Sequence, residues 1–193
     1  MSNYLFSAEE MKHIKGNATM TGYNLIHGYC GVVANWMYGV LDSKQYPVKI
    51  ERAYVDIGKP VARTQPVAHR YCVVEKNGVK AYIDARGVSF DKDEFLKEFV
   101  EYETTKNGTK PKEWIFMPEE PNRYAASNAV ESYSPFDPEY DAVLLLEQMY
   151  KGERFYNHIW NGLTEWSRRV ENVPEPVSNT YESSDTLEGE VEY

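Results

Sequence analysis

Cysteine and long hydrophobic runs are both scarce in this chain of 193 residues. Two cysteines do not make a disulfide framework, so we expect free thiols in a reducing, cytoplasmic setting. No apolar run approaches the ~18 to 20 residues that a membrane-spanning helix needs. The first residues also lack the basic start and apolar centre of a signal peptide, so we expect no secretion.

Basic residues are also few, since the chain has 21 Lys and Arg but 30 Asp and Glu, which gives a net charge of −9. Such a chain lacks the basic face that would neutralise nucleic-acid phosphates. It should also avoid an anionic membrane surface. If the protein has a peptide or protein substrate, the acidity favours a basic one.

Part of the acidity is concentrated in residues 181–193, which carry five carboxylates and no basic side chain. Low hydrophobicity and like charges predict disorder there. The remaining chain has a length and an apolar content that suit one hydrophobic core. We therefore predict a single domain over 1–173 and an acidic, disordered tail over 174–193.

The spacing of apolar residues predicts a helix, then strands, then helices. Helices are expected at 7–14, 30–41, 91–102, 138–152 and 153–170. Strands are expected at 48–58, 66–75, 79–87 and 113–117. Asn77 and Gly78 form the strongest short-range hairpin signal between two of these strands. This order indicates an α+β fold with an antiparallel sheet and two additional C-terminal helices.

The pattern His-x-Tyr-Cys occurs twice, which raises the possibility of a zinc site. His27, Cys30, His69 and Cys72 supply the ligand types and number of a tetrahedral site. However, residues three apart on a strand point to opposite faces. His69 and Cys72 would therefore bind one ion only if the strand began after Tyr71. A zinc-stabilised interaction module stays open as an alternative.

A nucleophile is the other interpretation of the same residues. Cys30 stands at the start of a predicted helix, where unpaired N–H groups and the helix dipole favour a thiolate. Those N–H groups can also stabilise an oxyanion. His69 opens one strand of the hairpin and Asp84 closes the other. A bulge or a wider turn would bring them side by side, with Asp84 orienting His69 toward Cys30.

The order and spacing of these three residues resemble those of papain-like and transglutaminase-like cysteine enzymes. The histidine follows the cysteine by 39 residues, and the aspartate follows by another 15. This spacing is closest to the transglutaminase and arylamine N-acetyltransferase branch. The hairpin segment 68–87 is also similar to segments of small uncharacterised phage and bacterial proteins. The resemblance covers residues 24–90.

The resemblance implies a catalytic helix packed on an antiparallel sheet, with Cys30 as nucleophile, His69 as base and Asp84 as orienting carboxylate. Papain-like proteases often have a glutamine six residues before the nucleophile for the oxyanion hole, and Asn24 stands there. Arg86 and Trp36 are candidate substrate contacts. The Arg-Gly-Gly lead-in of the acetyltransferases is absent, which argues against acetyl-CoA as substrate.

We therefore expect a cysteine-dependent acyl-transfer enzyme without a cofactor, acting through a thioester on Cys30. It would be a protease, an amidase, a deamidase or a transglutaminase-like protein with a peptide or protein substrate. Two alternatives belong to other classes. One is a catalytically inactive, phage-type inhibitor or adaptor of the same fold, and the other is the zinc module described above.

Overall fold

The computed structural model describes residues 28–55, 67–108, 113–122, 140–151 and 156–174. The predicted helix 7–14, the candidate oxyanion donor Asn24 and the candidate zinc ligand His27 lie outside these ranges. So does most of the predicted acidic tail. The described part of the chain combines helices with an antiparallel sheet, which confirms the α+β class.

The sheet has five strands in the described residues, and every neighbouring pair is antiparallel. They are β1 (Val48–Val55), β2 (His69–Lys76), β3 (Val79–Asp84), β4 (Gly87–Ser89) and β5 (Trp114–Glu119). Their order across the sheet is β4-β3-β2-β1-β5. Sequence patterning missed β4, because three residues are too few to show alternation.

The described helices are α1 (Cys30–Ser43), α2 (Lys92–Asn107), α3 (Tyr140–Tyr150) and α4 (Asn161–Glu171). A π-helical turn over Tyr156–Trp160 leads into α4. The Asp91 carboxylate caps α2 by accepting two backbone N–H groups, and Gly108 ends it in a left-handed conformation, as helix termini require. None of the described helices is both long and apolar enough to cross a bilayer.

The β2–β3 hairpin turns through Asn77 and Gly78, whose φ angles are 52° and 77°. Two positive φ values in a two-residue loop fit the twist of the strands. Cys72 pairs with Ile83 in the resulting register. Continuing that register places Asp84 opposite Tyr71.

Helices cover both faces of the sheet. On one face α1 contacts β1, β2 and β3, while α4 contacts β3 and β4. A Cβ on Gly162 of α4 would lie only 2.5 Å from Val88 of β4, so the helix approaches this strand at a distance that only glycine allows. On the other face, Phe95 of α2 packs edge-on against Tyr71. The end of β2 that carries His69 lies between these two layers.

Candidate active site

Cys30 is the first residue of α1, and its side chain is 7% exposed. Tyr29 at the N-cap makes no side-chain capping bond, and no acidic residue stands in the first turn. Although Cys30 is buried, it is not among the residues of the hydrophobic core cluster in the described part of the chain. Two polar groups, the ring of His69 and the backbone N–H of Arg70, lower the pKa of its thiol. The thiol is thus largely sheltered from water.

His69 and Asp84 form a buried pair at the end of the β2–β3 hairpin. The Nε2 atom of His69 lies 2.9 Å from Oδ2 of Asp84, and the two side chains are 0% and 2% exposed. The predicted bulge or wider turn is not needed. Asp84 stands opposite Tyr71 in the register, and His69 is the next residue on the same face, so the two meet on a diagonal.

Aromatic rings hold the His69 imidazole in place from the side of α2. The Phe99 ring stacks on it with centroids 3.9 Å apart, and Tyr71 stacks at 5.5 Å. Phe95 adds a tilted contact at 5.9 Å. A ring enclosed in this way keeps one orientation, so its two nitrogens keep separate partners.

Arg86 binds the Asp84 carboxylate from the turn that follows β3. Its Nη2 lies 2.6 Å from Oδ2, and its Nε lies 3.2 Å from Oδ1. The same Nη2 donates to the carbonyl oxygen of Phe95 at 2.9 Å, and Nη1 lies 3.5 Å from Glu98. The guanidinium also sits over the rings of Phe95 and Phe99. These contacts suit a residue that positions Asp84 better than one that receives a substrate carboxylate.

The charge state of Asp84 follows from these partners. Burial raises the pKa of its carboxyl, but the hydrogen bond with His69 and the charge of Arg86 outweigh burial and lower the pKa to about 2. Asp84 is therefore ionised at neutral pH and can only accept. Nε2 of His69 must carry the proton and donate it to Asp84.

Because Asp84 occupies Nε2, Nδ1 is the ring nitrogen left for the thiol. Nδ1 is buried and makes no hydrogen bond of ordinary geometry with a described residue. Burial lowers the pKa of His69, but Asp84 and Cys30 outweigh it and raise the pKa. Burial likewise raises the pKa of Cys30, but His69 and Arg70 lower it overall. Both shifts favour a thiolate beside an imidazolium.

The structure separates two of the four residues considered as zinc ligands. The His69 ring stacks on Phe99 of α2, whereas the Cys72 sulfur donates to the Ala34 carbonyl of α1 at 3.2 Å. The two side chains therefore lie on opposite faces of β2. Among the described residues no three His, Cys, Asp or Glu side chains are placed to hold a metal ion. Cys72 is fully buried and belongs to the core.

Trp36 also lies in the core, where its side chain is 4% exposed. The sequence pattern did not predict a role for Arg70, whose backbone N–H lowers the pKa of Cys30. Its position next to His69 on the same strand is the one feature of the sequence that could have indicated this role. The rings of Phe95 and Phe99 were predicted as a helix face, but their contact with His69 depends on how α2 crosses the sheet.

Comparison of the chain with known protein families, curated proteins and solved structures finds no match. The function of the protein is therefore inferred from the geometry of the site itself.

Proposed function

We propose that this protein is a cysteine-dependent acyl-transfer enzyme with Cys30 as nucleophile, His69 as general base and acid, and Asp84 as the carboxylate that orients His69. The observation that carries the proposal is the position of the His69 ring, which is hydrogen-bonded to the Asp84 carboxylate and lowers the pKa of the Cys30 thiol, where α1, β2 and β3 meet. A base within reach of the nucleophile, oriented by a third group, is the arrangement that thiol catalysis requires.

The chemistry follows from the positions of the protons. The Cys30 thiolate attacks a carbonyl carbon, forming a C–S bond, while Nδ1 of His69 holds the proton that the thiol gave up. The imidazolium passes this proton to the departing amine as the C–N bond breaks, leaving a thioester. Water or a second amine then attacks the thioester carbonyl, and His69 takes the proton of the attacking group. The C–S bond breaks, which releases the acyl product and restores the Cys30 thiolate beside the His69 imidazolium. Water gives a hydrolase and an amine gives a transferase.

Backbone N–H groups support the tetrahedral intermediate in this proposal. The N–H of Arg70 already interacts with the sulfur, and the first N–H groups of α1 have no partner within the helix. Donors fixed in this way stabilise charge that develops on the carbonyl oxygen. Asn24 stays a proposed donor outside the described residues.

The resemblance to papain-like and transglutaminase-like enzymes belongs to the same proposal. Two features support it: a helix that begins at the cysteine and packs on an antiparallel sheet, and a histidine and an aspartate on neighbouring strands. The peptide or protein substrate and the likeness to small phage proteins are proposed on this basis.

A catalytically inactive inhibitor or adaptor of the same fold is the second candidate. One observation favours it, namely that Cys30 is 7% exposed and His69 is fully buried. A substrate carbonyl would need an approach to a sulfur that offers little surface. The two candidates differ in whether the thiol can be acylated.

Acylation by p-nitrophenyl acetate tests the proposal without knowledge of the natural substrate. We expect a burst of one p-nitrophenolate per protein molecule and an acetyl group on the peptide that contains Cys30. Cys30→Ser should remove the burst, and His69→Ala should slow it by about 100-fold, the usual contribution of a general base. The absence of an acetylated Cys30 in the folded wild-type protein would favour the inactive alternative.

A further inference from the structure

Two arginines face each other across neighbouring strands beside Cys30. Arg52 of β1 and Arg70 of β2 are direct partners in the antiparallel register. Like charges in this position destabilise a sheet unless an anion lies between them. Glu119 of β5 provides one carboxylate oxygen for both, 2.8 Å from Nε of Arg70 and 3.7 Å from Nε of Arg52. The cluster of these three side chains keeps a net positive charge.

The cluster also has more hydrogen-bond donors than acceptors in the described part of the chain. Nε of Arg52 is buried without a hydrogen-bond partner there. Its Nη2 reaches the Pro118 carbonyl oxygen only at 3.5 Å. The Arg70 side chain keeps 31% of its surface exposed. A further oxygen anion would therefore complete the hydrogen bonding of a pair that one glutamate only partly neutralises.

The Arg70 guanidinium lies directly over the first turn of α1. A Cβ added to Gly31 would come within 3.3 Å of Cδ and 3.5 Å of Nη1 of Arg70. Gly31 follows Cys30 in the sequence, and the Arg70 backbone N–H interacts with the Cys30 sulfur. The guanidinium of Arg70 and the sulfur of Cys30 thus both lie at the first turn of α1.

We propose that Arg70, supported by Arg52, forms a subsite for a carboxylate on the acyl donor, close to the carbonyl that Cys30 attacks. This inference rests on the proposed function and names the substrate class of the same site. The net charge of the whole chain is negative and favours basic molecules. The cluster of Arg52, Arg70 and Glu119 beside Cys30 is instead positively charged. An acidic acyl group therefore replaces the basic one expected from composition.

Two alkylating reagents of similar size, one anionic and one neutral, test the subsite. Iodoacetate carries a carboxylate and iodoacetamide is neutral. In both reactions the Cys30 sulfur displaces iodide from the reagent. Both reagents react with the same thiolate population, so the fraction of thiolate cancels in the ratio of their second-order rate constants at Cys30. We expect a ratio about fivefold above that of the neutral thiol N-acetylcysteine amide, as one partly screened charge would give. Raising the salt concentration to 0.5 M should reduce the excess, because about this much salt screens partly exposed charges.

Three variants complete the test. Arg70→Gln should lower the ratio to the level that the His69 imidazolium alone gives, and Glu119→Gln should raise it, since a competing carboxylate is removed. Arg168→Gln, at a 70% exposed position of α4, should leave it unchanged. The subsite is refuted if the folded wild-type protein shows the ratio of N-acetylcysteine amide, or if Arg70→Gln keeps the wild-type ratio. Should Arg70→Gln not fold, the Glu119→Gln ratio decides, and a value no higher than that of the wild type refutes the subsite.

The rate with iodoacetamide alone reports separately on the proposed function. An activated Cys30 without preference for iodoacetate would remove the subsite and leave the acyl-transfer proposal standing. A thiol that reacts like an ordinary one with both reagents would remove both.

Discussion

Asp84 and His69 meet on a diagonal of the β2–β3 hairpin, with 2.9 Å between Oδ2 and Nε2. The hairpin fixes this relationship, because its two-residue turn sets which residues of β2 and β3 share a face. A slip of one residue would move His69 to the opposite face and separate the pair. The hydrogen bond between His69 and Asp84 therefore depends on the turn at residues 77 and 78, at the opposite end of both strands.

Acid should weaken the fold through Asp84. Its pKa of about 2 in the folded protein lies below the ordinary value of about 3.9. The unfolded chain therefore binds the proton more readily. The stabilisation is present above about pH 4 and is lost as the pH falls toward about 2, and it amounts to about 2 kcal/mol. Urea unfolding between pH 7 and 2 measures it.

Asp84→Asn should remove most of this acid dependence, since an amide does not titrate. The exposed Glu101→Gln is the matched control and should follow the wild-type curve. An acid dependence that is as steep in Asp84→Asn as in the wild-type protein would show that other carboxylates dominate.

Arg86 is expected to act on Cys30 only through Asp84. Arg86→Gln removes the charge that helps to keep Asp84 ionised, so the imidazolium of His69 and the thiolate of Cys30 lose support. We expect the alkylation rate of Cys30 by iodoacetamide at pH 6 to fall by about tenfold, the effect of one pKa unit. Arg86→Lys should recover part of the rate, because lysine restores the positive charge but lacks the planar guanidinium that forms two hydrogen bonds with a carboxylate.

A purely structural role for Arg86 would give a different result. Thermal stability would fall in both Arg86 variants, while the pH at which Cys30 reacts at half its maximal rate would stay at the wild-type value. Arg168→Gln provides the control for loss of a surface arginine.

The packing of α4 on β4 should be sensitive to one methyl group. Gly162→Ala places a Cβ 2.5 Å from Val88, and such overpacking typically costs 1 to 3 kcal/mol, which exceeds the gain of about 1 kcal/mol in helix propensity. The nearest atom is the Cβ of Val88, so Val88→Gly should compensate when combined with Gly162→Ala, and thermal unfolding of the four proteins measures the coupling. Purely additive effects would contradict this packing.

Zinc should contribute nothing to the fold, because His69 and Cys72 face opposite sides of β2. The freshly purified protein should contain far less than one zinc ion per chain, and EDTA should leave its melting temperature unchanged. Cys72→Ala should lower stability by about 1 kcal/mol through a small cavity and leave the reactivity of Cys30 intact. A stoichiometric metal ion whose removal unfolds the protein would revive the zinc module.

Much of the fold could be predicted from local sequence. The periodicity of 30–41 and 91–102 and the Asn77-Gly78 signal predicted α1, α2 and the hairpin, because each depends on residues close in the chain. Other features depend on contacts distant in sequence. The diagonal approach of Asp84 to His69 requires the register, and the place of β5 beside β1 requires a pairing across about 60 residues.

The candidate site shows the same division. The resemblance drew attention to Cys30, His69 and Asp84, and their types and spacing were visible in the sequence. The interactions of Arg86 with Asp84 and of Arg70 with Cys30 were not, since an arginine in a turn or on a strand is usually exposed. Only the packing of α1 and α2 on the two faces of the sheet shows which arginines are turned inward.

The pairing of Cys30 with His69 is tested by the pH dependence of Cys30 alkylation by iodoacetamide, followed by peptide mapping in the wild-type protein and in His69→Ala. With Cys30 and His69 paired, the wild-type rate should reach half its maximum below the ordinary thiol pKa of about 8.5. In His69→Ala the same point should move to higher pH, because burial is then opposed by Arg70 alone. Half-maximal reaction at or above the ordinary value in the folded wild-type protein, or identical profiles in the two proteins, would show that His69 does not activate Cys30.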